Sequence, residues 1–173
     1  QHLSKEKQSH LYIDWHKGFE EVLKRVRERH PDIVMQACGG GGGRVNWGVL
    51  RYFDEFWTSD NTDPLQRIYM QWGTSHFYPA IAMGAHISAS PNHQTRRSTP
   101  IKFRADVAMS GRLGIELQPK EMTEEERNVC RQAIADYKSV RGTIQFGDLY
   151  RLVSPYDRLG VASLMYVCVA AEG

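Results

Sequence analysis

One cysteine, a run of five glycines and a nearby aspartate are the residues of this chain whose types and spacing suggest chemistry. Cys38 is followed directly by Gly39 to Gly43 and then Arg44, at the end of the apolar run "IVMQA". An ordered glycine is roughly 0.5–1 kcal/mol less favourable than alanine, so five in a row need a reason. Phosphate binding does not supply it. The chain has no Gly-Lys dipeptide, and the third glycine of a Gly-x-Gly-x-x-Gly register would fall on Arg44, Val45 or Asn46. Two readings remain. One is a flexible surface loop. The other is a backbone surface against which a ligand lies, since glycine carries no β-carbon to hold it off. A sugar ring suits such a floor because its hydroxyls are met by backbone N–H and C=O groups.

The segment "FWTSDNTD" adds a carboxyl group at a second strand end. Glycoside hydrolysis needs carboxyl groups flanking the scissile bond, one of them protonated so that it donates to the leaving oxygen. Asp60 has the position for this, although an aspartate there equally serves a turn. Asp63 precedes Pro64 and reads as a helix cap. Trp57 fits either a sugar platform or, as tryptophan more commonly does, the core. His76, His86 and His93 do not match a zinc-helix spacing, and no metal or cofactor is expected.

The elements that must hold these residues follow from periodicity. Leu11, Trp15, Phe19, Val22, Leu23 and Val26 recur at helical spacing until Pro31 ends the helix. Ile33 to Cys38 reads as a strand buried on both faces of a parallel sheet. Asn46 to Phe53 predicts a short helix and "EFWTSD" a short strand ending at Ser59 or Asp60. The Asp63–Pro64 start predicts a helix turned inward by Leu65, Ile68 and Trp72. "YPAIAMGAHIS" is a third apolar run and "TPIKFRADVAMSG" a fourth segment. Thr123 and Glu126 form a capping box opening a helix whose Val129, Ala133, Ile134 and Tyr137 face one way. "ASLMYVCVAA" reads as a final strand. The alternation of helix and strand is that of an α/β protein with parallel strands, and in a barrel the site gathers where the strands end.

At 173 residues with 41% hydrophobic and 24% charged residues, the chain has the composition of one globular domain. A net charge of +2 gives no bulk electrostatic reason to expect nucleic acid or a membrane surface. No apolar stretch reaches the roughly 20 residues that span a bilayer. Cys38, Cys130 and Cys168 are widely spaced, which supports neither a disulfide framework nor a four-thiolate zinc site. Starting at Gln1 rather than Met, the chain reads as a processed product or an excerpt, and the cytoplasm is the favoured compartment.

The segments "CGGGGGR", "WTSDNTD", "MGAHIS", "PNHQ", "GRLGIEL" and "GDLYRLVSP" occur in the order and spacing of the α-galactosidases (melibiases) of glycoside hydrolase family 36. The chain resembles that family along nearly its whole length. The resemblance implies an α/β fold, the C-terminal part of a (β/α)8 TIM barrel over residues 1–163, running near Met165 into the first strand of a C-terminal β-domain over 164–173. It implies a retaining hydrolase that releases terminal α-linked galactose from oligosaccharides such as melibiose or raffinose. Matched by motif, Asp60 is the general acid/base, Cys38 with Gly39, Gly40 and Gly41 holds the galactose, and Trp57 walls the subsite. The family's nucleophile lies in a Lys-Trp-Asp motif that this chain lacks. "IDWH" inverts that order and puts Asp14 on a helix surface, so the nucleophile is expected upstream and the chain alone is expected to be inactive.

Where the family often has serine after the cysteine and an aromatic-acidic pair after the arginine, this chain has Gly39 and Val45-Asn46. Galactose and N-acetylgalactosamine both stay open as the sugar. The expected partners are an α-galactoside and further copies of the chain, with no nucleic acid and no membrane. The rival readings are a galactosyl-transferring enzyme and a non-catalytic carbohydrate-binding module.

Overall fold

The computed structural model describes residues 3–168. After a short helix α1 (Lys5–Gln8), the long helix α2 (Leu11–Arg29) leads into strand β1 (Gln36–Ala37). Then follow α3 (Trp47–Leu50), β2 (Glu55–Trp57), α4 (Pro64–Thr74), β3 (Met83–Ser88), α5 (Ile101–Ala108), β4 (Arg112–Glu116) and α6 (Glu124–Phe146). Strands β1 to β4 form one sheet in chain order, each pairing with the next in parallel. The last two strands, β5 (Asp148–Val153) and β6 (Ser163–Val167), pair antiparallel with each other, apart from the four-stranded sheet. The predicted final strand is therefore present as β6, and the end of that prediction, from residue 169 on, lies outside the described residues.

The sheet has an apolar face and a polar one. Ile87 of β3 packs against Ile101, Ala105 and Ala108 of α5 and Cys130 and Ala133 of α6. Ala37, Phe56 and Met83 continue that face with Val45, Leu50, Phe53 and Tyr78. Because successive strand residues point to opposite sides, the residues between them make the other face. There Gln36 donates to Glu55 at 2.8 Å, Glu55 pairs with Arg112 at 2.8 Å, and the Trp57 and His86 rings lie 4.3 Å apart. Gly114 belongs to the same face: a β-carbon on it would stand 2.4 Å from His86 Cδ2, so glycine is what lets the imidazole lie across β4.

Three predicted elements take a different form. The strand expected over Ile33–Cys38 is regular only at Gln36 and Ala37, and Ile33 and Val34 are exposed rather than buried. Within β1 Gln36 is exposed and Ala37 buried, so one face is covered and not both as the apolar run suggested. In α4 the inward face is Pro64, Arg67 and Gln71, while Leu65 is exposed. The polar residues of that face are buried because Arg67 donates to Gly84 O and Ser59 O, and Gln71 to Val107 O and Ser110 Oγ at the end of α5. Finally, of the predicted stripe on α2 only Leu23 is buried. The helix is tied down instead by Arg27, whose guanidinium donates to Tyr52 O at 2.6 Å, Ile33 O at 2.8 Å and Asp54 Oδ2 at 2.6 Å.

Candidate active site

Four parallel strands side by side bring the segments that follow them to one end of the sheet. The loop after β1 is the glycine run. Gly40 and Gly41 have left-handed backbones with φ of 67° and 70°, a region that costs a residue with a β-carbon roughly 1–2 kcal/mol. Gly42 N–H donates to Thr58 O at 3.3 Å, which ties the loop to the segment after β2. A β-carbon on Gly41 would stand 2.8 Å from Ser59 Cα and 3.0 Å from the Asp60 backbone nitrogen. On Gly39 it would meet the Arg44 side chain at 2.7 Å. Only at Gly40 is there nothing within 4 Å. Backbone packing thus accounts for part of the run, and Gly40, Gly43 and the preceding Cys38 are its exposed residues.

The two aspartates after β2 have opposite environments. Asp60 is exposed, and its carboxylate accepts no hydrogen bond from any described residue. Asp63 is fully buried and saturated. Its Oδ1 caps α4 by accepting from Leu65 N at 2.9 Å and Gln66 N at 3.2 Å. Arg97 grips both of its oxygens, at 2.7 and 2.6 Å, and the Thr95 hydroxyl donates to Oδ2. Burial alone would raise the Asp63 carboxyl, but bonds from Thr95, the Gln66 backbone and Arg97 more than offset that and hold it below its ordinary value. Asp63 is the helix cap expected from Asp63–Pro64, and Asp60 is the carboxylate left available.

The segment between them is fastened by the loop after β3. Ser88 Oγ donates to Thr62 O at 2.7 Å, and Asn92, itself buried, donates to Thr62 Oγ1 at 3.0 Å. Asn92 Oδ1 also accepts from the Gln94 and Thr95 backbones, each at 3.0 Å, which shapes the turn that delivers Arg97 to Asp63. Sequence reasoning gave Asn92, Thr95 and Arg97 no role. The signal was the segment "PNHQTRR", where an asparagine after proline is a ready turn former, but nothing local says which distant group the turn serves.

Trp57 is buried, with the His86 ring on one side and the Arg67 guanidinium 4.7 Å from its own ring centroid. Burial lowers the His86 imidazole, although Glu116 and Glu55 act the other way, so it is neutral at neutral pH. His76 follows α4, His86 lies within β3 and His93 in the loop after it, and among the described residues no three His, Cys, Asp or Glu side chains form a metal cluster. Asp14 stands exposed on the first turn of α2. No described helix is long and apolar enough to cross a membrane.

A family model described as melibiase matches residues 1–147 of the chain, so the match stops one residue before β5. The α-galactosidase AgaA of Geobacillus stearothermophilus is 48% identical over 140 residues, which is 81% of this chain and 19% of that protein. The bifunctional α-galactosidase/sucrose kinase AgaSK of Mediterraneibacter gnavus is 43% identical over 146 residues, 84% of this chain and 16% of that protein. Among solved structures, a variant of AgaA in complex with raffinose superposes with a TM-score of 0.91 at 43% identity, covering 96% of this chain and 23% of that one. The chain therefore spans about a fifth of the length of these relatives.

Proposed function

The chain belongs to the melibiase family, the α-galactosidases of glycoside hydrolase family 36, and from that premise we propose that it is the segment of a retaining α-galactosidase that supplies the general acid/base and the floor of the galactose subsite. Asp60 is the acid/base. Cys38, Gly39, Gly40 and Gly41 form the floor and Trp57 the wall beneath it. The observation that carries this reading is the backbone contact between Gly41 and the Ser59–Asp60 peptide. A sugar lying on the glycine loop would have its reacting carbon next to the Asp60 carboxylate, which accepts no hydrogen bond from any described residue.

The chemistry divides in two. Asp60, protonated, donates to the departing glycosidic oxygen while a second carboxylate attacks the anomeric carbon from the opposite face. Asp60, now ionised, then takes a proton from the water that releases galactose. Asp63 has no free oxygen for the attacking role, and Asp14 is on a helix exterior. The nucleophile is assigned to the part of the enzyme beyond this chain. Raffinose-type oligosaccharides, one of which is bound in the AgaA structure, are the proposed substrates. The change from barrel to β-domain, expected between residues 163 and 164, is proposed to come earlier. The antiparallel β5–β6 pair supports a change of architecture as early as Asp148.

The test uses the full-length enzyme. Asp60→Ala is expected to lower kcat/KM by about 100 to 10,000-fold on raffinose, whose leaving group needs a proton, and far less on a dinitrophenyl α-galactoside, whose leaving group does not. Equal losses on both substrates would remove Asp60 from the acid role.

A further inference from the structure

Arg67 lies on α4, is 3% exposed, and makes no ion pair with a carboxylate among the described residues. Buried arginines are normally paired, so its place requires a reason. Its Nη2 donates to Gly84 O at 2.9 Å and its Nη1 to Ser59 O at 3.4 Å, while the guanidinium lies over the Trp57 ring. Gly84 O also accepts from Thr58 Oγ1 at 3.2 Å. The last register pair of β2 and β3 is Trp57 with Gly84, so the guanidinium sits where the two strands part. There it satisfies carbonyls that the ladder no longer reaches.

An apolar side chain of similar volume would fill this gap without the desolvation cost of a charge. What a planar cation adds is direction. Its two separate donor arms and flat face set the orientation of the Ser59 carbonyl and of the Trp57 ring together. Ser59 is the residue before Asp60, and the Asp60 side chain has no anchor of its own. We propose that Arg67 is a positioning residue that sets the Thr58–Asp60 turn, and so aims the Asp60 carboxyl at the glycosidic oxygen. This rests on the reading of Asp60 as the acid/base. Burial pushes the Arg67 guanidinium down to about 10, with Glu116 acting in the other direction, so it keeps its charge at neutral pH.

The experiment compares Arg67→Met and Arg67→Lys in the full-length enzyme, with Asp60→Asn in parallel, on raffinose and on a dinitrophenyl α-galactoside. The ratio of the two kcat/KM values does not depend on how much of a preparation is folded. Arg67→Met is expected to lower the raffinose value about 10 to 100-fold, the scale of an ångström-sized misplacement, and the aryl value much less. Arg67→Lys, which keeps one donor toward the carbonyls, should recover part of the ratio. Equal losses on both substrates, while Asp60→Asn discriminates between them, would overturn the proposal and leave the acid assignment standing. Failure of both Arg67 variants to fold would overturn it too, by making Arg67 a folding residue. An Asp60→Asn variant that does not discriminate would instead overturn the acid assignment, and this proposal with it.

Discussion

At the scale of single residues, the site separates two aspartates three positions apart by what surrounds them. Asp63 carries a helix cap, an arginine and a hydroxyl, and Asp60 carries nothing. In the full-length protein, Asp63→Asn keeps a cap oxygen but leaves Arg97 without its buried carboxylate, and is expected to cost roughly 2–4 kcal/mol. Urea unfolding with an unchanged slope would measure it. The sign of the pH dependence follows from the same contacts. The folded Asp63 carboxyl lies below its unfolded value, so its contribution is complete above the unfolded pKa of about 3.9 and is lost as pH falls through the folded one. Asp63→Asn should remove that component of acid lability, and an unchanged acid midpoint would contradict it. Arg96 offers a gain in the same loop. Its φ of 60° is the left-handed region, so Arg96→Gly is expected to stabilise by about 0.5–1 kcal/mol after the entropy of the added glycine is deducted. A lower melting temperature would count against this.

At the scale of elements, what was legible in the sequence was what local chemistry dictates. The Asp63–Pro64 helix start, the Thr123–Glu126 capping box and the long periodic helix from Leu11 all stand where those signals put them. β4 and β5 were not legible. β4 is short and interrupted by Gly114, whose reason is the His86 ring from the neighbouring strand rather than anything local. The polar inward face of α4 was hidden for a similar reason, since Arg67 and Gln71 are buried by partners on β3, the 58–60 turn and the end of α5. For the site, residue types pointed to Asp60 and the glycines, but the loop after β3 that clamps Thr62 and Asp63 shows only in three dimensions. Within the glycine run, neighbouring positions differ in what surrounds them. Gly40→Ala meets open space and should cost only the roughly 1–2 kcal/mol of its backbone conformation. Gly41→Ala adds a collision with the Ser59 backbone, so it should cost more and also lower kcat/KM by moving Asp60. Equal effects of the two substitutions would mean that the contact between the two loops is soft.

At the scale of the whole molecule, the four parallel strands bring Asp60 and the glycine loop to one end of the sheet, and with Asp60 proposed as the acid the attacking carboxylate falls to another part of the enzyme. A retaining glycosidase needs that group about 5–5.5 Å from the acid/base. The 173-residue chain by itself is accordingly expected to release no galactose from any α-galactoside. Release abolished by Asp60→Asn would place the second carboxylate within these residues. The most direct measurement of the central claim is the product that the full-length Asp60→Ala variant makes from a dinitrophenyl α-galactoside in the presence of azide. Its dinitrophenolate leaves without a proton, the glycosyl-enzyme waits for a base that has been removed, and azide attacks without needing one. Faster turnover with azide and an α-configured galactosyl azide are expected, because the nucleophile and its first inversion are intact. A β-configured azide would make Asp60 the nucleophile, and no acceleration at all would leave it without a role in proton transfer.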